Sequence, residues 1–191
     1  MTTYMLHGFG SSAAAFRAAW SDSCSLQDET VFLDGFEKDR LTQQLRWFPF
    51  TARQEQLADY VIKCADRLER VLGAKHHGAS ELRFVGHSQG GMLAMELACR
   101  GILPISQVVC FGAYMPCSTA LRHTPPVAVG SIILYSSGKD EFIHRSDVTA
   151  TVAYLSRLGV KAISDRVASS LPHAFGSEWL NEENFREVSY V

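Results

Sequence analysis

The sequence predicts an α/β fold in which a mostly parallel sheet of about six strands carries helices on both faces. Short apolar runs alternate along the whole chain with segments whose apolar residues recur at helical spacing, which is typical of parallel sheets. With 191 residues, of which 47% are hydrophobic and 20% charged, the chain is long enough to bury a sizeable core. No linker, repeat or low-complexity segment divides it, so we expect residues 1–191 to form a single domain.

The predicted strands are short apolar runs, most of them followed by glycine, proline or polar residues. In chain order they are Thr3–Leu6, Thr30–Leu33, Leu82–Val85, Gln107–Phe111, Ser131–Ser137 and a last strand within Val160–Val167. Residues 36–50 form a long irregular connection that is charged at first and then aromatic. A loop of this length is more often functional than idle.

The predicted helices are bounded by capping residues and glycines. They are expected over residues 13–20, 51–72, 92–99, 147–158 and 177–188. Thr51 and Gln54 fit a capping box at the start of the second helix, and Gly73 follows its last turn. Asp147 is the predicted N-cap of the fourth helix.

Charge and cysteine content argue against several classes of protein. A net charge of −2 and a pI near 6.4 give no reason to expect nucleic acid or an anionic membrane as a partner. The scattered cysteines form no C-x-x-C pair, so we expect neither a zinc site nor a disulfide framework; they are Cys24, Cys64, Cys99, Cys110 and Cys117. Most lie within apolar patterns, which predicts buried thiols. No apolar run approaches transmembrane length and no signal peptide is evident, so we expect a cytoplasmic protein without stable membrane insertion.

The most informative stretch is G-H-S-Q-G at residues 86–90. A predicted strand precedes it and apolar helix-forming residues follow, which is the arrangement of a nucleophile elbow. To project its hydroxyl above the sheet, Ser88 must sit on a tight and strained turn, and a Cβ at Gly86 or Gly90 would collide there. The alternative is an ordinary strand-to-helix turn, since G-x-S-x-G arises by chance in about one such sequence in ten or fewer.

A serine nucleophile needs a base within hydrogen-bond reach and a carboxylate that orients the base. In hydrolases built on such an elbow, the order along the chain is Ser, then Asp or Glu, then His. Asp140 follows a predicted strand and His173 follows the last one, so both would reach Ser88. His144 and His123 are rival bases, but both precede the last strand.

Two backbone amides are candidates for stabilising negative charge on a reacting oxygen. A His-Gly turn ends the first strand, which points to the amide of Phe9, with the amide of Gln89 as its partner. Each such donor is typically worth about 10²–10³ in rate. We expect the ring of His7 to hold this loop in place. Apolar residues near these positions could form an acyl site, or could simply pack in the core: Phe9, Trp47, Phe48, Met115, Phe142 and Phe175.

Four segments resemble the phospholipase/carboxylesterase family of α/β-hydrolases, to which acyl-protein thioesterases and small bacterial carboxylesterases belong. They are L-H-G-F-G-S-S at residues 6–12, W-F at 47–48, G-H-S-Q-G-G at 86–91 and P-H at 172–173. The resemblance implies a compact α/β-hydrolase fold that hydrolyses carboxylic esters or thioesters. It also implies a triad of Ser88, Asp140 and His173, with the amides of Phe9 and Gln89 as oxyanion donors.

The sequence departs from the family pattern at three places, one of which is the segment between Asp34 and Trp47, which is shorter than the family's. The family usually starts with extra antiparallel strands, and the sequence has no room for them before Thr3. Its acid motif places a glycine three residues before the aspartate, whereas Gly138 lies two before Asp140. Glu141 is therefore an alternative acid, although Ile143, three residues after Asp140, matches the family's apolar position.

The predicted function is cleavage of a carboxylic ester by a serine hydrolase through an acyl-enzyme intermediate. The same three residues could act on a thioester, an acylated protein or an amide. A non-catalytic binding module on the same fold is a further alternative, disfavoured because all three residues are present. The substrate is expected to be a small acyl ester or thioester, and the chemistry requires neither a cofactor nor a metal.

Overall fold

Strands and helices alternate along the chain in the predicted order, with three short strands in addition. The computed structural model describes residues 1–21, 29–51, 53–76, 81–116 and 122–188. The strands are β1 (Thr2–Leu6), β2 (Thr30–Leu33), β3 (Glu37–Lys38), β4 (Leu45–Arg46), β5 (Leu82–His87), β6 (Ile105–Phe111), β7 (Ser131–Ser137), β8 (Ala162–Ala168) and β9 (Phe185–Glu187). The helices are α1 (Ala13–Ser21), α2 (Gln54–Gly73), α3 (Gln89–Arg100) and α4 (Arg145–Arg157), and 3₁₀ turns span Ser177–Leu180 and Glu182–Asn184.

Seven of the strands form one sheet in the order β2-β1-β5-β6-β7-β8-β9. Every neighbouring pair is parallel except β8 and β9, which are antiparallel. The predicted mostly parallel sheet is confirmed, and all six predicted strands belong to it. Because parallel strands end at a common edge, the residues that follow β1, β5, β7 and β8 are brought together there.

The prediction of a helix over residues 177–188 is wrong. This segment forms the two 3₁₀ turns and then β9, which pairs with Arg166–Ala168 of β8. The amide of Val188 also donates to the carbonyl of Asp165 at 2.8 Å. Without β9, the outer edge of β8 would present unpaired backbone groups, and pairing along that edge outweighs the weak helical pattern.

Two predicted helix caps differ from the structure. The capping box does not form, because α2 begins at Gln54 and the side-chain amide of Gln54 donates instead to the hydroxyl of Tyr114 at 2.8 Å. Thr51 lies outside the helix. Asp147 is not an N-cap, because α4 begins two residues earlier, at Arg145, and places Asp147 in its first turn. A carboxylate there still interacts favourably with the helix dipole.

The connection between β2 and α2 is more ordered than predicted. It contains an antiparallel hairpin of β3 and β4, in which Arg46 forms an ion pair with Asp39 at 2.7 Å. The amide of Gly10 donates to the carbonyl of Leu45 at 2.9 Å, which ties the hairpin to the loop after β1. This contact holds the hairpin beside the edge of the sheet where the predicted site residues lie.

Apolar side chains pack on both faces of the sheet. The larger cluster lies under α2, α3 and α4, and the smaller one includes Phe16 and Trp20 of α1 together with Trp179. Helices therefore cover both faces, as predicted. Among the described residues, no helix is long and apolar enough to cross a membrane.

The described cysteines are free thiols within the core. Cys64, Cys99 and Cys110 are buried, and burial raises the pKa of Cys64 and Cys99 to about 12 and that of Cys110 as well. They are protonated at neutral pH and lack thiolate reactivity. Cys24 and Cys117 lie outside the described residues.

Candidate active site

Ser88 occupies the tight, strained turn that the sequence predicted. Its φ of 51° and ψ of −117° are rare for a residue with a side chain, and it immediately precedes α3. A Cβ on Gly86 would lie 2.4 Å from the carbonyl carbon of Gly90. A Cβ on Gly90 would lie 2.1 Å from the carbonyl oxygen of Leu6. The turn therefore excludes side chains at both glycines, in the second case because β1 passes directly beside it.

The structure brings the side chains of Ser88, His173 and Asp140 into one hydrogen-bonded row. The distance from Ser88 Oγ to His173 Nε2 is 2.9 Å, and the distance from His173 Nδ1 to Asp140 Oδ2 is 2.7 Å. Ser88 follows β5, Asp140 lies in the turn after β7, and His173 lies in the loop after β8. A hydroxyl, an imidazole and a carboxylate in this order can activate the hydroxyl as a nucleophile.

Asp140 is held as an ionised acceptor. Its Oδ1 accepts the amide N–H groups of Phe142 and Ile143 at 2.9 and 2.8 Å, which leaves Oδ2 for His173. Burial acts to raise the pKa of Asp140, but the hydrogen bond and charge of His173, together with the two amides, outweigh it and lower that pKa. Glu141, the alternative acid, is exposed. The geometry thus favours Asp140.

His7 holds the loop after β1, as predicted. Its Nε2 accepts the amide of Gly35 at 2.9 Å, and its Nδ1 donates to the carbonyl of Gly8 at 2.7 Å. The indole N–H of Trp47 donates to the carbonyl of His7 at 2.7 Å. Burial lowers the pKa of His7, so the ring remains neutral and keeps both roles at neutral pH.

A cavity of about 620 Å³ opens beside the hydroxyl of Ser88. Its walls are largely apolar and include the rings of Phe9, Phe16, Phe48, Phe50, Tyr114, Phe142 and Phe175. Gln89 and His173 also line it, as do His144 and Asp147 at the start of α4. None of the described residues that line it is a lysine or an arginine. The cavity has the size and the apolar walls of a small-molecule site.

Two residues expected in an acyl site lie elsewhere. Trp47 and Met115 are 2% and 1% exposed and pack in the core, outside the cavity wall. The indole N–H of Trp47 donates to the carbonyl of His7 at 2.7 Å, and its ring lies 5.5 Å from that of Phe36, outside the cavity. The side chain of Gln89 holds the backbone of this segment, a role that sequence reasoning missed: its Oε1 accepts the Trp47 amide at 3.1 Å, and its Nε2 donates to the Phe48 carbonyl at 2.9 Å.

The rival histidines are not placed to act as the base. His123 contacts the hydroxyl of Tyr154 at 2.6 Å and the carboxylate of Glu96 at 3.2 Å, within a separate buried polar cluster. His144 lines the cavity but is not the ring bonded to Ser88. In the part of the chain that the structure describes, no group of three or more His, Cys, Asp or Glu residues is arranged to hold a metal ion.

Comparison with known proteins identifies the family. A model of the family described as Phospholipase/Carboxylesterase matches residues 2–182. The chain belongs to this family of α/β-hydrolases. The resemblance noted in the sequence is thereby confirmed, and this phospholipase/carboxylesterase family member is a hydrolase of that family.

Several solved structures share the fold of this chain. Esterase PE8 superposes on this family member with a TM-score of 0.78 at 19% identity, covering 96% of this chain and 89% of the other. SOBER1 of Arabidopsis thaliana has a TM-score of 0.72 at 16% identity, covering 96% and 95%. Acyl-protein thioesterase 2 of Zea mays has a TM-score of 0.65 at 15% identity, covering 95% and 90%. No curated protein sequence matches the chain significantly.

Proposed function

We propose that this protein cleaves carboxylic esters through an acyl-enzyme intermediate on Ser88, with His173 as base and Asp140 as its orienting carboxylate. The observation that carries the proposal is the continuous row of contacts, 2.9 Å from Ser88 Oγ to His173 Nε2 and 2.7 Å from His173 Nδ1 to Asp140 Oδ2. This row ends on a strained serine that faces an apolar cavity. Backbone strain of this kind is concentrated at functional sites.

In the proposed reaction, His173 Nε2 takes the proton of Ser88 as Oγ attacks the acyl carbon. The carboxylate of Asp140 keeps the proton of His173 on Nδ1 and stabilises the imidazolium that forms. The amides of Phe9 and Gln89 are the candidate donors to the oxyanion, and both residues line the cavity. His173 then protonates the departing alcohol, and water, deprotonated by the same ring, releases the acid and regenerates Ser88.

The cavity favours an uncharged apolar acyl group. Most of its wall surface is apolar, and Phe9 and Phe142 are 40% and 56% exposed beside it. A carboxylate-bearing substrate would meet no fixed positive charge among the described lining residues and would lie near the carboxylate of Asp147. A small neutral ester is therefore the proposed substrate class.

A thioester is the second candidate substrate. The same row of side chains attacks either acyl group, and a structural neighbour is named as an acyl-protein thioesterase. Oxygen and sulfur esters with the same acyl group distinguish the two cases. Under the ester proposal, kcat/KM for the oxygen ester equals or exceeds that for the sulfur ester.

A fluorophosphonate probe tests the nucleophile directly. It should label the wild type and fail to label Ser88→Ala, while Ser11→Ala, which removes another hydroxyl from the cavity wall, should still be labelled. Absence of labelling in the folded wild type would contradict the proposal. A series of esters of increasing chain length then tests the cavity: Phe142→Ala should shift the preferred length, whereas Met115→Leu, in the core, should not.

A further inference from the structure

We propose that His87 is a positioning residue, whose ring N–H holds the backbone of His173 so that the His173 imidazole faces Ser88. His87 ends β5 and directly precedes Ser88. Its Nε2 lies 2.8 Å from the carbonyl oxygen of His173. The proposal rests on the function proposed above, because it assigns His87 a part in the reaction of Ser88.

Side-chain donors hold the carbonyl groups of four consecutive residues in the loop that carries the base, residues 171–174. Ser137 Oγ donates to the carbonyl of Leu171 at 2.5 Å. The indole N–H of Trp179 is shared by the carbonyls of Pro172 and Ala174 at 3.1 and 3.2 Å. The third carbonyl belongs to His173, and His87 is its donor. Among these three donors, only His87 is covalently joined to the nucleophile.

The contact closes a short ring of interactions around the reacting atoms. It runs from Ser88 through the peptide bond to His87, across the 2.8 Å hydrogen bond to His173, and back across 2.9 Å to Ser88 Oγ. Asp140 fixes the orientation of the His173 ring, whereas His87 fixes the position of the backbone from which that ring extends. A misplacement of about 1 Å at a catalytic group can cost about 10²-fold in rate.

The chemistry of the His87 ring suits this role. A carbonyl oxygen only accepts, so Nε2 must carry the proton. Burial, and then the charge that His173 can carry, lower the pKa of His87 to about 3, although Asp140 acts in the opposite direction. The ring therefore stays neutral as His173 becomes an imidazolium, and no second positive charge opposes it.

The ring also packs against the loop that supplies the proposed oxyanion donor. A Cβ on Gly8 would lie 2.5 Å from Nδ1 of His87 and 3.2 Å from Cβ of Ser88. On another side, the ring lies 5.3 Å from that of Phe175. A purely structural reading follows from this packing: His87 would stabilise the fold and have no separate effect on the reaction.

Paired substitutions separate the two readings. His87→Phe keeps a flat ring and removes the N–H, and His87→Gln keeps an amide N–H of similar reach. We expect His87→Phe to lower kcat on a soluble p-nitrophenyl ester about 10- to 100-fold with little change in KM, because only the reacting geometry is disturbed. His87→Gln should restore most of the lost kcat. The melting temperature of each variant is measured alongside.

A matched control removes a different anchor of the same loop. Ser137→Ala deletes the donor to the carbonyl of Leu171 and should lower kcat less than His87→Phe does. Equal losses in the two variants, or a His87→Phe enzyme with wild-type kcat, would overturn the proposal. If His87→Phe does not fold, His87→Asn, whose amide is too short to reach the carbonyl of His173, is compared with His87→Gln. Equal kcat values for these two variants would also overturn the proposal. A folded wild type that is neither active nor labelled would instead refute the proposed function.

Discussion

Replacement of Asp140 by asparagine tests the proposed mechanism at a single atom. Asparagine has the same shape, and its Oδ1 can still accept the amides of Phe142 and Ile143. Its NH₂ group then occupies the position of Oδ2, 2.7 Å from Nδ1 of His173. Two donors would face each other there, so Nδ1 must lose its proton and Nε2 must gain one. His173 can then no longer accept the proton of Ser88.

The expected loss in kcat is about 10⁴-fold, the effect of the same change in a serine protease triad. At about 1.36 kcal/mol for each factor of ten, this raises the barrier by about 5.4 kcal/mol. KM should change little, because Asp140 lies behind His173 and is not among the residues that line the cavity. Steady-state hydrolysis of a p-nitrophenyl ester measures both constants.

Glu141→Gln is the matched control for Asp140→Asn. It removes one carboxylate from the adjacent position, and Glu141 is exposed, so kcat should remain within about twofold of wild type. The reasoning fails if Asp140→Asn, with its fold intact by circular dichroism, retains more than about a tenth of the wild-type kcat. It also fails if Glu141→Gln loses as much activity as Asp140→Asn.

Three further perturbations test the surroundings of the site. Gly112→Ala should lower both kcat and the melting temperature, because Gly112 has a φ of +51°. A Cβ there would also lie 3.2 Å from Asp140 Oδ2 and 3.3 Å from His173 Nδ1. A variant with wild-type kcat and wild-type melting temperature would contradict this expectation. Asp147→Asn should raise kcat/KM severalfold for an ester that carries a carboxylate and leave a neutral ester unchanged, and the gain should fade at high salt. The pKa of Asp140 is lower in the folded state, so the unfolded chain binds a proton at this carboxylate more readily. The Asp140 carboxylate therefore stabilises the fold above about pH 4, and this contribution is lost as the pH falls through the folded-state pKa. The difference in unfolding free energy between wild type and Asp140→Asn, from urea titrations, should accordingly narrow on acidification.

The convergence of Ser88, Asp140 and His173 could be predicted because it depends on chain order and strand ends alone. Each of the three follows a strand of a parallel sheet, and the ends of such strands share an edge. The crowding of Gly86 against Gly90 was predictable for a similar reason, since it arises within five consecutive residues. Local steric constraints and strand order can both be inferred from a single sequence.

What the sequence did not reveal depends on contacts between distant segments. Apolar residues look alike whether they line a cavity or fill a core. Trp47, whose indole N–H binds the carbonyl of His7, therefore could not be distinguished from Phe48, which lines the cavity. The strand β9 is short, and it forms because β8 offers an open edge. The role of His87 was not predicted because the G-x-S-x-G pattern allows any residue at its position. Its hydrogen-bond partner, His173, also lies 86 residues away in the sequence.

The strain at Ser88 connects these observations. A φ of 51° persists only where the surroundings determine the backbone more strongly than the residue itself. Here the amide of Ser88 donates to the carbonyl of Phe111 at 2.9 Å, and β1 leaves no room for a side chain at Gly90. The central strands β1, β5 and β6 thus hold the nucleophile rigidly, whereas the base extends from a loop. The loop is the part of the site that needs additional anchors, and the hydrogen bond from His87, at the end of β5, to the carbonyl of His173 is the anchor that joins it directly to the nucleophile's own strand.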